Sequence, residues 1–490
     1  MFDPPALVHD FFIKTKCGRR PAWNSYIEAC LRSFRHEDND NSSRRRNMTD
    51  TVKLDRALGL WSVVLFGLAY MTPMIVFGTF GALAAASQGT TAMAYLIAAA
   101  AILLTAISYG VMARVYPVAG SAYTYARRSI NPSVGFLVGW AVLLDYFFLP
   151  MVIWLIGAAY LTSAFPSIPA WFWIVGFIAL TTVVNVVGIA FANRVNFILM
   201  AVQLVVLIAF VLLAARYVMA LNGPGGLVSV TPFFKADVPF SASIAGAAIA
   251  AYSFLGFDAV STLTEETRDA KRTMPKAILI IALAGGLIFV VSAYITQLAH
   301  PGMDFVSIDA AATEIAKAVG GDFFVTIFLT TLVIAQFTSG LAAQASVGRL
   351  LYAMGRDSVL PTSFFGNLHP KWHTPILNLI LVGIVGLLAL TMDVTTSTSF
   401  INFGAFLAFT AVNISVIALY LKGNAEVKPL GALVGVVIPA VAAVCDLFLL
   451  WNLDSHAKIL GIVWLVIGIA YLAYLTRFFQ SAPPEMDFAE

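Results

Sequence analysis

From Ala57 to Ala113 the chain contains no Asp, Glu, Lys or Arg, and from Ser129 to Asn193 it contains only Asp145. A soluble domain needs a charged surface, and stretches this long leave none. Of the 490 residues, 60% are hydrophobic and only 11% are charged, so the rest of the chain does not supply that surface either. Lipid is then the natural solvent. A helix needs about 20 apolar residues to cross the hydrocarbon core. Twelve segments meet that length, at about 59–85, 92–113, 134–163, 170–188, 196–219, 242–265, 277–299, 322–350, 375–392, 399–421, 430–452 and 457–478. They are called spans 1 to 12 below. Strands of a membrane barrel alternate apolar and polar residues, and runs such as "ILIIALAGGLIFVVSAY" do not. The expected fold class is an all-α membrane protein with about twelve transmembrane helices.

The loop charges give an orientation. With the N-terminus inside, fourteen loop Lys and Arg face the cytoplasm, and four (Arg216, Lys235, Lys317 and Lys458) face outward. By the positive-inside rule both termini are cytoplasmic. Residues 1–52 are polar and mixed in charge, and read as a disordered tail. Met48 stands just before the apolar pattern begins, so residues 1–47 read as an upstream extension of the frame. The transmembrane domain is expected at 53–480 and a short cytoplasmic tail at 481–490. Cys17, Cys30 and Cys445 suggest no disulfide framework. His369 and His373 flank "PKW", which is weak support for a metal site. No Gly-x4-Gly-Lys-[Ser/Thr] loop is present, so an ion gradient or a partner subunit must supply energy for any transport.

Spans 1 and 6 share an irregularity. Span 1 reads "LAYMTPMIVFGTFGAL", with Pro73, Gly78 and Gly81 at mid-depth. Span 6 reads "AAYSFLGFDAV", with Gly256 two residues before Asp258. Paired interruptions in two halves of a chain point to broken helices around a midplane binding site. Broken backbone is tolerated in a membrane only where protein buries it or water reaches it. The competing reading is that Gly and Pro here only pack or kink helices.

Three stretches then carry a resemblance: "GSAYTYARRSINPSVGFLVGW", "FLGFDAVSTLTEETRDAKRTMPKAI" and "ASVGRLLYAMGRDSVLP". They resemble the amino acid–polyamine–organocation superfamily of secondary transporters, and within it the bacterial putrescine importer group. The resemblance runs from about Leu54 to Phe479. It implies two five-helix inverted repeats with broken helices 1 and 6, followed by two C-terminal helices, and alternating access. It also implies that Tyr252 is an aromatic gate and that Asp258, six residues on, takes part in proton coupling. The chain departs from that group at Gly78, in "IVFGTFG", where an acidic residue is expected. A diamine would lose an ammonium partner there, which favours a neutral amino acid or a monoamine. Gln203 stands where some cationic amino acid relatives carry a coupling Lys, so that mechanism is not available.

The candidate substrate-binding residues are Met74, Ile75, Gly78, Asp145, Tyr252, Phe254, Gly256 and Asp258. An ionised carboxylate at a helix centre costs roughly 2.5–3.5 kcal/mol on insertion scales. For Asp258 that cost favours a working group, one that a proton can bind and leave. The alternative is a static hydrogen bond to neighbouring backbone. Asp145 reads as nearer the inner end of its span, with a structural or gating role as its alternative. Phe257 is a further possible pocket wall. Glu265, Glu266 and Arg268 form either a cytoplasmic charge cluster or an inner gate. Thr338 and Ser339 are candidates for a sodium site of hard oxygen ligands, or simply pack helices. Arg349 and Arg356 should line the cytoplasmic edge, and Asn402 and Gly404 lie in span 10.

Together these readings predict an ion-driven importer of a small amine or amino acid, such as putrescine or an amino acid, in the inner membrane. The expected partners are that small molecule, H+ or Na+, and the lipid bilayer, with no nucleic acid. No cofactor and no enzymatic activity are expected. The alternatives are an exchanger, an amine sensor or a channel. Asp145 and Asp258 can also be read as an intramembrane aspartyl protease pair, but the flanking glycines and the chain order fit a transporter better.

Overall fold

The computed structural model describes residues 58–484 apart from 119, 188–191, 303, 357, 371 and 373, without the side chains of 192–197 and Glu265. The N-terminal tail, Cys17, Cys30, His373 and the last six residues lie outside this description. The described chain is helical, and its one bridge between extended segments joins Leu58 to Thr267 in parallel.

Among the described residues, eleven helices are long and apolar enough to cross a membrane. Several are close to the predicted segments: Pro132–Ala164, Ala170–Val187, Ala270–Ala299, Val394–Leu421 and Ser455–Leu475 for spans 3, 4, 7, 10 and 12. Thr91–Val115 forms span 2, and Ala192–Asn222 forms span 5. Span 9 departs from the expected count of twelve. It is an α-helix only over Ile376–Gly386 and tightens into a 3-10 helix over Leu387–Thr391, too short to count among the long spans. Span 8 runs over Ala311–Arg356 but breaks at Gly321, whose φ is 71°, so its membrane portion starts where the sequence placed it. Span 11 is Ile438–Trp451, entered through a π-helical turn at Leu433–Val437.

The chain marks helix starts with side chains that accept from free backbone amides. Asn131 Oδ1 accepts from Val134 N at 2.8 Å, with Pro132 at the first helical position. Asp393 and Asp454 do the same for spans 10 and 12, at 2.7 and 3.0 Å. Spans 4, 5, 11 and 12 expose large apolar side chains such as Val183, Leu212, Val444 and Val463, as lipid-facing helices do. The interior belongs to spans 1, 2, 3, 6, 8 and 10. Span 7 lies along span 2, and span 3 packs against spans 8 and 10. Trp154, Tyr95, Tyr109 and Tyr160 are fully buried there.

Candidate functional site

Span 1 is three pieces: Leu60–Met71, Ile75–Gly78 and Phe80–Ala86. The main break falls at Thr72, whose φ is 51°, just before Pro73. Pro has no N–H to donate back into a helix, and Ile75 N restarts the ladder by bonding Thr72 O at 2.8 Å. A lesser break falls at Thr79, and Gly81 lies inside the last piece rather than at a break. Gly81 matters for packing instead. A β-carbon there would stand 1.9 Å from Ile308 O, so only glycine allows this approach. Span 6 is the helix Phe240–Ala250, then 3-10 turns at Ala251–Phe254 and Ala259–Glu266. Between the turns Gly256 takes φ +110°, where side chains are strained. The two breaks touch, because a β-carbon on Gly256 would stand 2.2 Å from Cδ1 of Tyr70.

A cavity of 470 Å³ begins at these breaks. Its head is lined by Tyr70, Thr72, Ile75, Tyr252, Leu255 and Gln336. Its foot is lined by Ser346, Arg349, Thr374 and Pro375. From Gln336 to Arg349 span 8 rises about 20 Å, so the cavity follows that helix from the breaks to the Lys- and Arg-rich end of the bundle. The opposite end is closed by aromatic packing. Phe77, Phe210 and Phe328 form a triangle with ring centroids 4.4–5.5 Å apart. Tyr160 donates its hydroxyl to Phe77 O, which takes up a carbonyl beside the span 1 break.

Of the residues expected to bind substrate, Ile75 and Tyr252 line this cavity. Met74 and Phe254 are buried, and Phe254 stands edge-on to Phe289. Phe257 is buried as well, against Tyr109 and Phe409. Gly78 is buried against Ile156 and Gln336. Asp145 and Asp258 do not line the cavity but lie within electrostatic range of each other and of Tyr70, which does. In the 33-residue helix Pro132–Ala164, Asp145 stands nearer the N-terminal end than the C-terminal one. It is partly buried, and its Oδ1 is enclosed without a hydrogen-bond partner. Asp258 is 8% exposed, and the backbone of Gly256, Asp258 and Ala259 lies against its carboxylate. No Lys or Arg acts on either carboxyl among the described residues.

Thr338 and Ser339 line the cavity, and the Thr338 hydroxyl donates to Ile334 O and Ala335 O at 3.0 and 3.1 Å. Gln203 lines it too, and its Oε1 is buried without a partner. Gln336 was not singled out from the sequence. Its Nε2 is likewise buried without a partner, and the signal was an amide within the apolar run "LVIAQFTSG". Glu266 and Arg268 use their backbone to hold the start of span 1: Leu58 N donates to Glu266 O at 3.0 Å, and Arg268 N to Leu58 O at 2.9 Å. Among the described residues at this end, Glu426 pairs with Arg114 and Lys271, and Asp269 with Arg272. Asn402 Nδ2 donates to Ala248 O at 2.7 Å, tying span 10 to span 6, and Gly404 packs against Ala141 O. His369 stacks on Trp372, and no group of three or more His, Cys, Asp or Glu suited to a metal occurs among the described residues.

Comparison with known proteins agrees with this architecture. The amino acid permease family profile matches residues 62–477. The chain is 43% identical over 442 residues to the low-affinity putrescine importer PlaP of Escherichia coli (strain K12), covering 90% of this chain and 98% of that protein. It is 27% identical over 461 residues to the branched-chain amino acid permease BcaP of Bacillus subtilis (strain 168), covering 88% and 97%. It is also 27% identical over 393 residues to human cationic amino acid transporter 4, covering 76% of this chain and 61% of that one. The chain belongs to the amino acid permease family of the amino acid–polyamine–organocation superfamily.

Proposed function

We propose that this protein is a secondary transporter that imports a small amine or amino acid across the inner membrane by alternating access. Both termini face the cytoplasm in this reading, and the driving force is a proton gradient. The observation that carries it is the cavity that starts at two touching helix breaks, follows span 8 toward the basic end, and is closed by Phe77, Phe210 and Phe328 at the other. A site reachable from one side only is one half of an alternating-access cycle.

The substrate follows from the polar atoms at the cavity head. Tyr252 offers a ring face and a hydroxyl, both attractive to an ammonium. Gln203 and Gln336 bring two amide side chains to the cavity wall. Among the described residues no carboxylate lines the cavity, and the ionic side chain in its lining is Arg349 at the foot. The relatives named above carry, by their names, putrescine, branched-chain amino acids and cationic amino acids. A substrate with one net positive charge or none suits this lining better than a diamine does. Asp258 is the proton site, with Asp145 as its neighbour, because no basic side chain among the described residues offsets either acid. Uptake of labelled amines and amino acids by proteoliposomes, under imposed proton or sodium gradients, tests this reading. Accumulation driven by protons supports it. Accumulation driven only by sodium moves the coupling site to Thr338 and Ser339, and one-for-one swapping without net uptake makes the protein an exchanger.

A further inference from the structure

A third membrane-embedded acid lies away from the cavity. Asp446 in span 11 is fully buried, between spans 2 and 10. Its Oδ2 accepts from Thr105 Oγ1 at 3.0 Å and from Asn413 Nδ2 at 2.9 Å. Asn413 Nδ2 also donates to Thr105 Oγ1 at 3.0 Å, so the three side chains form a closed triangle. The triangle leaves oxygens over. Asp446 Oδ1, Asn413 Oδ1, Ser108 Oγ and Thr410 Oγ1 are all buried and have no hydrogen-bond partner. Ser108 stands three residues after Thr105, and Thr410 three before Asn413, so each lies one helical turn from the triangle on the same helix face. The titratable groups nearby are Tyr109, one residue from Ser108, and Cys445. Among the described residues no Lys or Arg acts on Asp446.

Buried polar atoms are normally satisfied, and a buried charge is normally paired. Here a carboxylate keeps one oxygen unpartnered, the adjoining turns of spans 2 and 10 carry further unpartnered oxygens, and no Lys or Arg among the described residues acts on the carboxylate. Hard oxygen donors select alkali and alkaline-earth ions over softer metals. One carboxylate balances one positive charge, and a divalent ion would bring an excess charge into a dry site. Magnesium would also have to keep several waters there. We propose that Asp446, Asn413, Ser108 and Thr410 bind one alkali-metal cation between spans 2, 10 and 11, apart from the substrate cavity. The ion would fasten span 10, which also holds span 6 through Asn402, to spans 2 and 11.

The test needs no transport assay, so it stays separable from the proposed function. The purified full chain is unfolded thermally in detergent, in rising NaCl with choline chloride holding ionic strength constant. A bound ion stabilises by mass action, so the midpoint should climb with sodium and follow RT ln(1 + [L]/Kd). In Asp446→Asn the climb should vanish. In Ser108→Ala and Thr410→Ala the sodium needed for a given shift should rise by about tenfold, the loss of one oxygen ligand. A wild-type midpoint that ignores sodium overturns the proposal, including the case where acid alone stabilises the protein, since the carboxyl then simply holds a proton. An Asp446→Asn protein that keeps the sodium response overturns it too. Should Asp446→Asn not fold, the Ser and Thr variants decide, and unchanged sodium dependence in both counts against the site.

Discussion

A β-carbon on Gly78 would stand 3.5 Å from Nε2 of Gln336, a buried amide nitrogen with no other partner at the head of the cavity. The nearest obstacles to a side chain there are the tips of Ile156 and Ile75, at 3.1 and 3.3 Å, and both belong to flexible side chains. An aspartate at this position would find a donor in Gln336 and bring a negative charge to the cavity head. An ammonium left uncompensated in a desolvated site typically costs several kcal/mol. Gly78→Asp should therefore shift preference toward diamines, read as competitive uptake of putrescine against neutral and monocationic amino acids. If the wild type already prefers putrescine, the Gly78 reasoning fails, and Asp145 and Asp258 become the ammonium ligands.

Asp258→Asn should abolish gradient-driven accumulation and leave exchange or binding. The amide is nearly the same shape and can still face the amides of Gly256 and Ala259, but it cannot take up and release a proton. Accumulation and counterflow measured side by side separate the two outcomes. A variant that accumulates normally, with wild-type pH dependence, would remove Asp258 from coupling.

Gly256→Ala should destabilise the protein through two separate effects. The φ of +110° strains any side-chain-bearing residue, at about 1–3 kcal/mol. The new methyl also meets the Tyr70 ring at 2.2 Å. Thermal midpoints would separate the effects. In a Tyr70→Ala background, Gly256→Ala should cost only the part due to the backbone, so the double-mutant cycle isolates the clash. No cost in that background would mean that the left-handed conformation carries no strain of its own.

Gln203→Ala and Gln336→Ala should each weaken apparent substrate affinity. A lost hydrogen bond to a charged substrate group is worth about 1.5–3 kcal/mol, roughly a tenfold or greater rise in KM. The maximal rate should fall less, because neither residue lies at the expected proton site. Unchanged KM in both variants would place the substrate elsewhere.

Much of this fold was legible because lipid imposes a length and forbids charge. Spans 3, 4 and 10 lie close to their predicted segments for that reason. Span 9 did not follow the rule, because Leu387–Thr391 winds into a 3-10 helix, and apolarity alone does not distinguish the two helical forms. The breaks in spans 1 and 6 were legible from Pro73 and Gly256. The true hinge of span 1 fell one residue early, at Thr72, because Pro73 withholds its amide while the strain is taken by its neighbour. The cavity wall was less legible. Residues a few positions apart on a helix face different neighbours, so Ile75 reached the cavity while Met74 and Gly78 were packed behind it. Asp446, in the apolar run "AVCDLFLL", was not singled out from the sequence, because no glycine stands beside it as Gly256 stands beside Asp258.

Ion-driven import is tested most directly by uptake into proteoliposomes holding the purified full chain. They would be given a panel of labelled putrescine, monoamines and amino acids, with an inward proton gradient, an inward sodium gradient or neither. Saturable accumulation above equilibrium is expected under the proton gradient, strongest for a substrate with one net positive charge or none. Accumulation that collapses when the gradient is dissipated would complete that result. Uptake that never exceeds equilibrium under either gradient, or that rises linearly with concentration like flow through a pore, would contradict it.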